Sequence, residues 1–219
     1  MIVLPRLHVI TEGDVLADSS FVPRALAVAE AGGADVALHV RARSVTAARV
    51  YEITAALRPT CTRVGARLVV NDRVDVALAC DADGVQLGMR SLPVADARTL
   101  LGAQRLVGYS AHAADEAAGA VDAGADFVML GSVWETTSHP GREPTGLEVL
   151  RQTAGVAGAN VLAIGGVTPA RVADAAGAGA YGVAVLSGVW RSKNDVEAVT
   201  MYLDALRAAY AGGRGKEQA

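Results

Sequence analysis

Short, mostly apolar runs alternate along this chain with longer stretches of helical spacing. The runs are Leu7–Ile10, Val36–Val40, Leu68–Val70, Asp83–Leu87, Leu106–Gly108, Phe127–Leu130, Val161–Ile164 and Tyr181–Leu186. They are too short for helices and show little polar alternation, as strands covered on both faces do. Helical stretches fall between them: Asp18–Ala31, Val45–Arg63, Asp72–Ala79, Leu92–Leu101, His112–Ala123, Leu147–Thr153, one opening at Pro169, and Asn194–Tyr210. Eight strands, each followed by a helical stretch, predict a single-domain (β/α)8 TIM barrel over residues 1–211, with a frayed polar tail at 212–219. The open doubly wound sheet is the alternative, but it usually has fewer strands. A small-residue echo supports the barrel. Ala31-Gly32-Gly33-Ala34-Asp35, Cys80-Asp81-Ala82-Asp83-Gly84, Ala123-Gly124-Ala125-Asp126 and Ala178-Gly179-Ala180-Tyr181-Gly182 each sit where a helix hands over to a strand.

The stretch Val161–Trp190 carries the first chemical signal. One apolar run stops at Gly165-Gly166 and the next at Ser187-Gly188. Thr168 and Pro169 between them read as N-cap and first helical position. Two turns that expose backbone N–H groups on neighbouring parallel strands form an anion cradle, and phosphate is its usual guest. In a (β/α)8 barrel the last two strands commonly hold one. Glycines that serve only tight turns are the plainer alternative.

Composition narrows the class. The chain is 52% hydrophobic, 20% charged and 4% aromatic, with a net charge of −3. That favours packed β/α layers, and a weakly acidic balance gives no general attraction to nucleic acid or an anionic membrane. An anion must therefore be held by a local site. No segment reads as a membrane span or a signal peptide, so a cytoplasmic location is expected. Cys61 and Cys80 lack metal-ligand spacing and read as reduced, buried small hydrophobes.

Residues just after each strand would line the catalytic face. They are His39, Arg41 and Arg43; Asn71 and Asp72; Gln86 and Arg90; Ser110 and His112; and Ser132, Thr136, Thr137, Ser138 and His139. Arg41 and Arg43 alternate, so both guanidinium groups should reach one side, where they would clamp a carboxylate or phosphate. His112 is placed at a helix start and suits proton transfer near neutrality. Residues 131–145 form a loop long enough for a substrate lid. His8 lies inside the first strand and reads as structural.

The motifs LHVIT, HVRAR, VVNDRVDVAL, ADGVQLG, VGYSAH, GADFVMLGSVWET, AIGGVTPARV and GVAVLSGVW follow one another from Leu7 to Trp190, within a match that runs to about Tyr202. Together they resemble the thiamine phosphate synthase/TenI family. The resemblance implies the barrel and a phosphorylated thiazole substrate, with Gly166, Leu186 and Ser187 at the phosphate, in agreement with the turns at Gly165-Gly166 and Ser187-Gly188. It also implies His39, Arg41, Arg43, Asn71, Ser110, Thr136 and Ser138 around the rest of the substrate. Synthases of the family carry Q-L-R-x-K where this chain reads His39-Val40-Arg41-Ala42-Arg43. Their two magnesium carboxylates correspond to Asp72 and to Ser91, and their T-x-T-K lysine corresponds to His139. These departures look more like the TenI branch, which implies a thiazole tautomerase with His112 as acid/base and no metal or other cofactor. The alternatives are a synthase using Mg2+ held at Asp72, and a non-catalytic regulator that binds thiazole phosphate. Similar barrels are often homodimers.

Overall fold

Eight parallel strands close into a barrel in the order β1 to β8 in the computed structural model, which describes residues 3–11, 13–42, 45–136, 141 and 143–211. The strands are β1 (Leu7–Ile10), β2 (Val36–Val40), β3 (Arg67–Asn71), β4 (Gly84–Leu87), β5 (Leu106–Ala111), β6 (Phe127–Leu130), β7 (Asn160–Ile164) and β8 (Gly182–Val185). Leu7 pairs with Val36 on one side and with Val183 on the other, so the first strand seals the ring. The helices returning the chain are α1 (Gly13–Ala17), α2 (Phe21–Gly32), α3 (Ala47–Val64), α4 (Val74–Ala79), α5 (Val94–Leu101), α6 (Ala114–Asp122), α7 (Gly146–Val156), α8 (Val172–Gly177), α9 (Ser187–Trp190) and α10 (Asp195–Ala211).

Strand periodicity divides the side chains between two cores. Leu7, Val9, Leu38, Val40, Leu68, Val70, Val85, Leu87, Val128, Leu130, Val161, Ala163, Val183 and Val185 face outward under the helices. Ile10, Leu106, Phe127, Met129, Leu162 and Ala184 fill the lumen with Leu4 below them. One lumen position must be glycine. A Cβ on Gly108 would lie 2.2 Å from the Phe127 ring and 2.2 Å from Gln86 Oε1, so its absence makes room for both. At the N-terminal face the Arg6 guanidinium sits over the rings of Tyr181 and Tyr210, 4.3 and 3.9 Å from their centroids. Its Nη1 also donates to Tyr181 O.

The expected architecture is therefore present, with local differences. The turns α1 and α9 were not anticipated, because neither is long enough to show a period. β5 runs on to Ala111, and α6 begins only at Ala114. His112 thus stands between strand and helix, not inside the helix. Thr168 occupies an N-cap position but its side chain caps nothing, and a 3-10 turn, Pro169–Arg171, precedes α8. Burial pushes the Cys61 thiol up to about 11, which keeps it protonated and inert. No helix among the described residues is long and apolar enough to cross a membrane.

Candidate functional site

A cavity of about 450 Å³ opens at the C-terminal ends of the strands. Arg41, Asn71, Gln86, Arg90, Ser110, His112 and Thr136 line it together with the turns at Gly165-Gly166 and Leu186-Ser187-Gly188. Ile10, Met129, Ile164 and Ala184 supply its apolar wall. The turns after β7 and β8 thus meet at one cavity, as the glycine pattern predicts. Arg41 follows the end of β2 and lines the cavity, as expected. Arg43, Ser138 and His139 lie outside the described residues, as do Thr137 and the 212–219 tail.

Both turns are held from behind. Gly165 and Gly166 have φ of 91° and 66°, where a side chain is strained. A Cβ on Gly166 would also lie 2.4 Å from Glu135 O. Arg171 Nη1 donates to Gly166 O at 2.6 Å, and its guanidinium lies 5.3 Å from the Trp134 ring centroid. The Tyr202 hydroxyl donates to Val167 O at 2.9 Å, fastening the same turn to α10. Trp190 Nε1 donates to Ile10 O at 2.9 Å and ties the β8 turn to the end of β1. Because α9 begins at Ser187, the N–H groups of Val189 and Trp190 donate to Leu186 O, whereas those of Ser187 and Gly188 have no acceptor within the turn. They suit an anion.

His112 is oriented from two sides. Its backbone N–H donates to Glu116 Oε2 at 2.8 Å. Its Nδ1 lies 2.5 Å from Gly131 O, at the end of β6. A carbonyl only accepts, so the Nδ1 carries a proton, and it is on Nε2 that the neutral tautomer presents its lone pair. This contact spans two strands, and no local sequence pattern announces it.

His39 does not reach the cavity, which corrects its expected place among substrate contacts. It points into the lumen one layer below, fully buried. Its Nε2 lies 2.8 Å from His8 Nδ1, and His8 Nε2 lies 3.1 Å from Pro5 O. Burial holds the pKa of His39 down at about 3, and burial and the neighbouring ring hold that of His8 well below its usual value. Gln86 joins this layer by donating its Nε2 to Ser110 Oγ at 2.9 Å.

The sequence profile described as thiamine monophosphate synthase matches residues 7–189. The chain belongs to that family. It is 41% identical over 206 residues to the thiamine-phosphate synthase of Salinispora arenicola, covering 93% of this chain and 98% of that one. The Chlorobium luteolum thiamine-phosphate synthase is 36% identical over 209 residues, covering 95% and 96%. A thiamine biosynthesis bifunctional protein of Symbiobacterium thermophilum is 46% identical over 159 residues, but this chain spans only 33% of its length. Among solved structures, the thiamine phosphate pyrophosphorylase from Pyrococcus furiosus superposes with a TM-score of 0.81 at 30% identity, covering 93% of this chain and 96% of that one.

Against this family background the expected magnesium position stands out. Asp72 is the one carboxylate that the synthase resemblance leaves there, and it does not line the cavity. Its Oδ1 accepts from Ser91 Oγ at 2.5 Å, and Ser91 Oγ accepts from Gly88 N at 2.8 Å. Among the described residues no three of His, Cys, Asp or Glu cluster to hold a metal. Magnesium favours anionic oxygen ligands, whereas the neighbouring cavity residue here is Arg90. The donor set does not fit the ion.

Proposed function

We propose that this chain serves thiamine biosynthesis as a metal-independent thiazole tautomerase. One observation carries the reading. Among the described residues the cavity is lined by Arg41, Arg90, His112 and the two anion turns, and by no carboxylate. Such a lining suits a substrate with a phosphate at one end and a carboxylate at the other. The turns at Gly166 and Ser187 hold the phosphate, and the ring rests on Met129, Ile164 and Ala184. Arg41 and Arg90 face the carboxylate. The Nε2 of His112 then takes a proton from the ring carbon bearing the carboxylate. The electron pair enters the ring, the exocyclic double bond shifts inward, and the same proton is delivered to the exocyclic carbon. Nothing is consumed, and aromatisation drives the step.

Coupling of a pyrimidine pyrophosphate to thiazole phosphate is the second reading. The similarity to thiamine-phosphate synthases and the presence of Asn71, Asp72 and Ser110 favour it. Two assays separate the readings. Loss of the non-aromatic tautomer is followed in EDTA, with wild type and His112→Ala, and thiamine phosphate formation is followed with magnesium. EDTA-insensitive isomerisation that falls about 10²- to 10⁴-fold in His112→Ala is expected, as for loss of a general acid/base. Metal-dependent coupling without isomerisation overturns the proposal. A thiazole phosphate ligand bound without either reaction indicates the regulator instead.

A further inference from the structure

The lumen below the cavity holds polar atoms that the proposed reaction does not use. His39 Nδ1 and Asn71 Oδ1 are both buried without a hydrogen-bond partner, and Asn71 stands on the neighbouring strand two residues beyond Val69, the register partner of His39, so both face the lumen. Unpartnered buried polar atoms are costly, at about 1–3 kcal/mol for each group left unsatisfied. A carboxamide keeps its shape when its oxygen and nitrogen are exchanged. The surrounding chain of contacts decides which orientation holds.

The chain starts at a group with only one role. Pro5 O can only accept, so His8 Nε2 must carry the proton it offers at 3.1 Å. A neutral His8 then presents a lone pair on Nδ1. His39 Nε2, 2.8 Å away, must donate to it. A neutral His39 in turn presents a lone pair on Nδ1, and only a donor can face it. Of the two ends of Asn71, the nitrogen fills that role. Running the chain the other way would set a lone pair of His8 Nε2 against Pro5 O, with a repulsion that nothing nearby relieves.

We propose that His8 and His39 are positioning residues whose fixed proton order makes Asn71 donate its Nδ2–H downward to His39 and present its Oδ1 upward to the cavity. The floor of the site thereby has a set polarity, with an acceptor at Asn71. The neighbouring Ser110 hydroxyl accepts from Gln86 Nε2 and keeps its own proton to donate. The groups facing the pair are Pro5 O, the Phe127 ring, 5.1 Å from His8 centroid to centroid, and the Asn71 carboxamide. None is charged. The order is therefore the same whichever of the two reactions the chain performs.

The test needs no substrate, so it stands or fails apart from the tautomerase reading. The intact protein is labelled with 15N at histidine and asparagine, and ring tautomers are read by long-range 1H–15N correlation. At pH 7 His8 and His39 are both expected as neutral Nε2–H rings, in contrast to the Nδ1–H ring of His112. The Asn71 carboxamide should show one N–H proton protected from solvent exchange. In folded His39→Leu that protection should drop at least about tenfold, by loss of one hydrogen bond. His39→Gln, which can donate to His8 and accept from Asn71, should restore it. A His39 ring found as the Nδ1–H tautomer or as a cation at pH 7 overturns the proposal. So does Asn71 protection that is unchanged in His39→Leu.

Discussion

Acidification offers the sharpest test of the two-histidine layer. In the unfolded chain both imidazoles should titrate near 6.5, at about the ordinary histidine value. In the fold His8 and His39 are fully buried, and burial keeps His39 neutral down to about 3 and His8 to well below its usual value. The unfolded state therefore binds more protons than the folded state below pH 6.5, and stability falls as the pH falls. Their contribution is complete above pH 6.5 and is lost progressively toward the folded values. Between pH 7 and pH 5 each ring costs about 1.9 kcal/mol, and the pair about 3.8 kcal/mol, while both stay neutral in the fold. This is a large share of the roughly 5–15 kcal/mol that usually holds a domain together. Urea denaturation at pH 7, 6 and 5 measures it, with the His8→Gln/His39→Gln double variant as reference, because carboxylates and the other histidines cancel in the difference. Wild type should lose about 3–4 kcal/mol more than the double variant. A difference under about 1 kcal/mol would show that the rings take up protons in the fold and would refute the reasoning.

Three further outcomes follow from the geometry. Gly166→Ala places a Cβ 2.4 Å from Glu135 O at a φ of 66°, so inorganic phosphate should bind at least about tenfold more weakly by calorimetry, while circular dichroism stays native. The double change Ser91→Asp with Arg90→Gly supplies a second carboxylate and removes a neighbouring cation. Calorimetry should then detect tighter magnesium binding than in wild type, and no gain would count against the donor-set argument. Arg6→Ala removes a guanidinium held between Tyr181 and Tyr210, and should cost about 1–3 kcal/mol in denaturant titrations, with no change in phosphate affinity because the contact lies at the opposite end of the barrel.

Much of this arrangement was legible from residue order because the barrel rests on repetition. Runs such as Val36–Val40 and Phe127–Leu130 match their strands residue for residue, since a strand covered on both faces reads as a nearly continuous apolar run. The glycine turns were legible too, because glycine is the residue that tolerates both a positive φ and a close backbone approach. What stayed hidden was non-local. His39 ends up beneath the cavity because its register beside Ile10 and Val69 turns it into the lumen. The Gly131 carbonyl that orients His112 comes from the neighbouring strand. Arg90 turns into the cavity, and Ser91 closes on Asp72 across two strands. The short α9 is set by packing of Val189 and Trp190, not by a period that a sequence of its length could display.

The tie between Trp190 and the first strand, with that between Tyr202 and the β7 turn, also orders events during synthesis. Both anchors of the anion site are made late, by residues near the C-terminal end acting on groups laid down much earlier. A nascent chain that has emerged only through β7 holds most of the barrel wall but has neither anchor. On the proposed reading, capture of a phosphorylated ligand therefore awaits emergence of α10, and binding reports on closure of the ring.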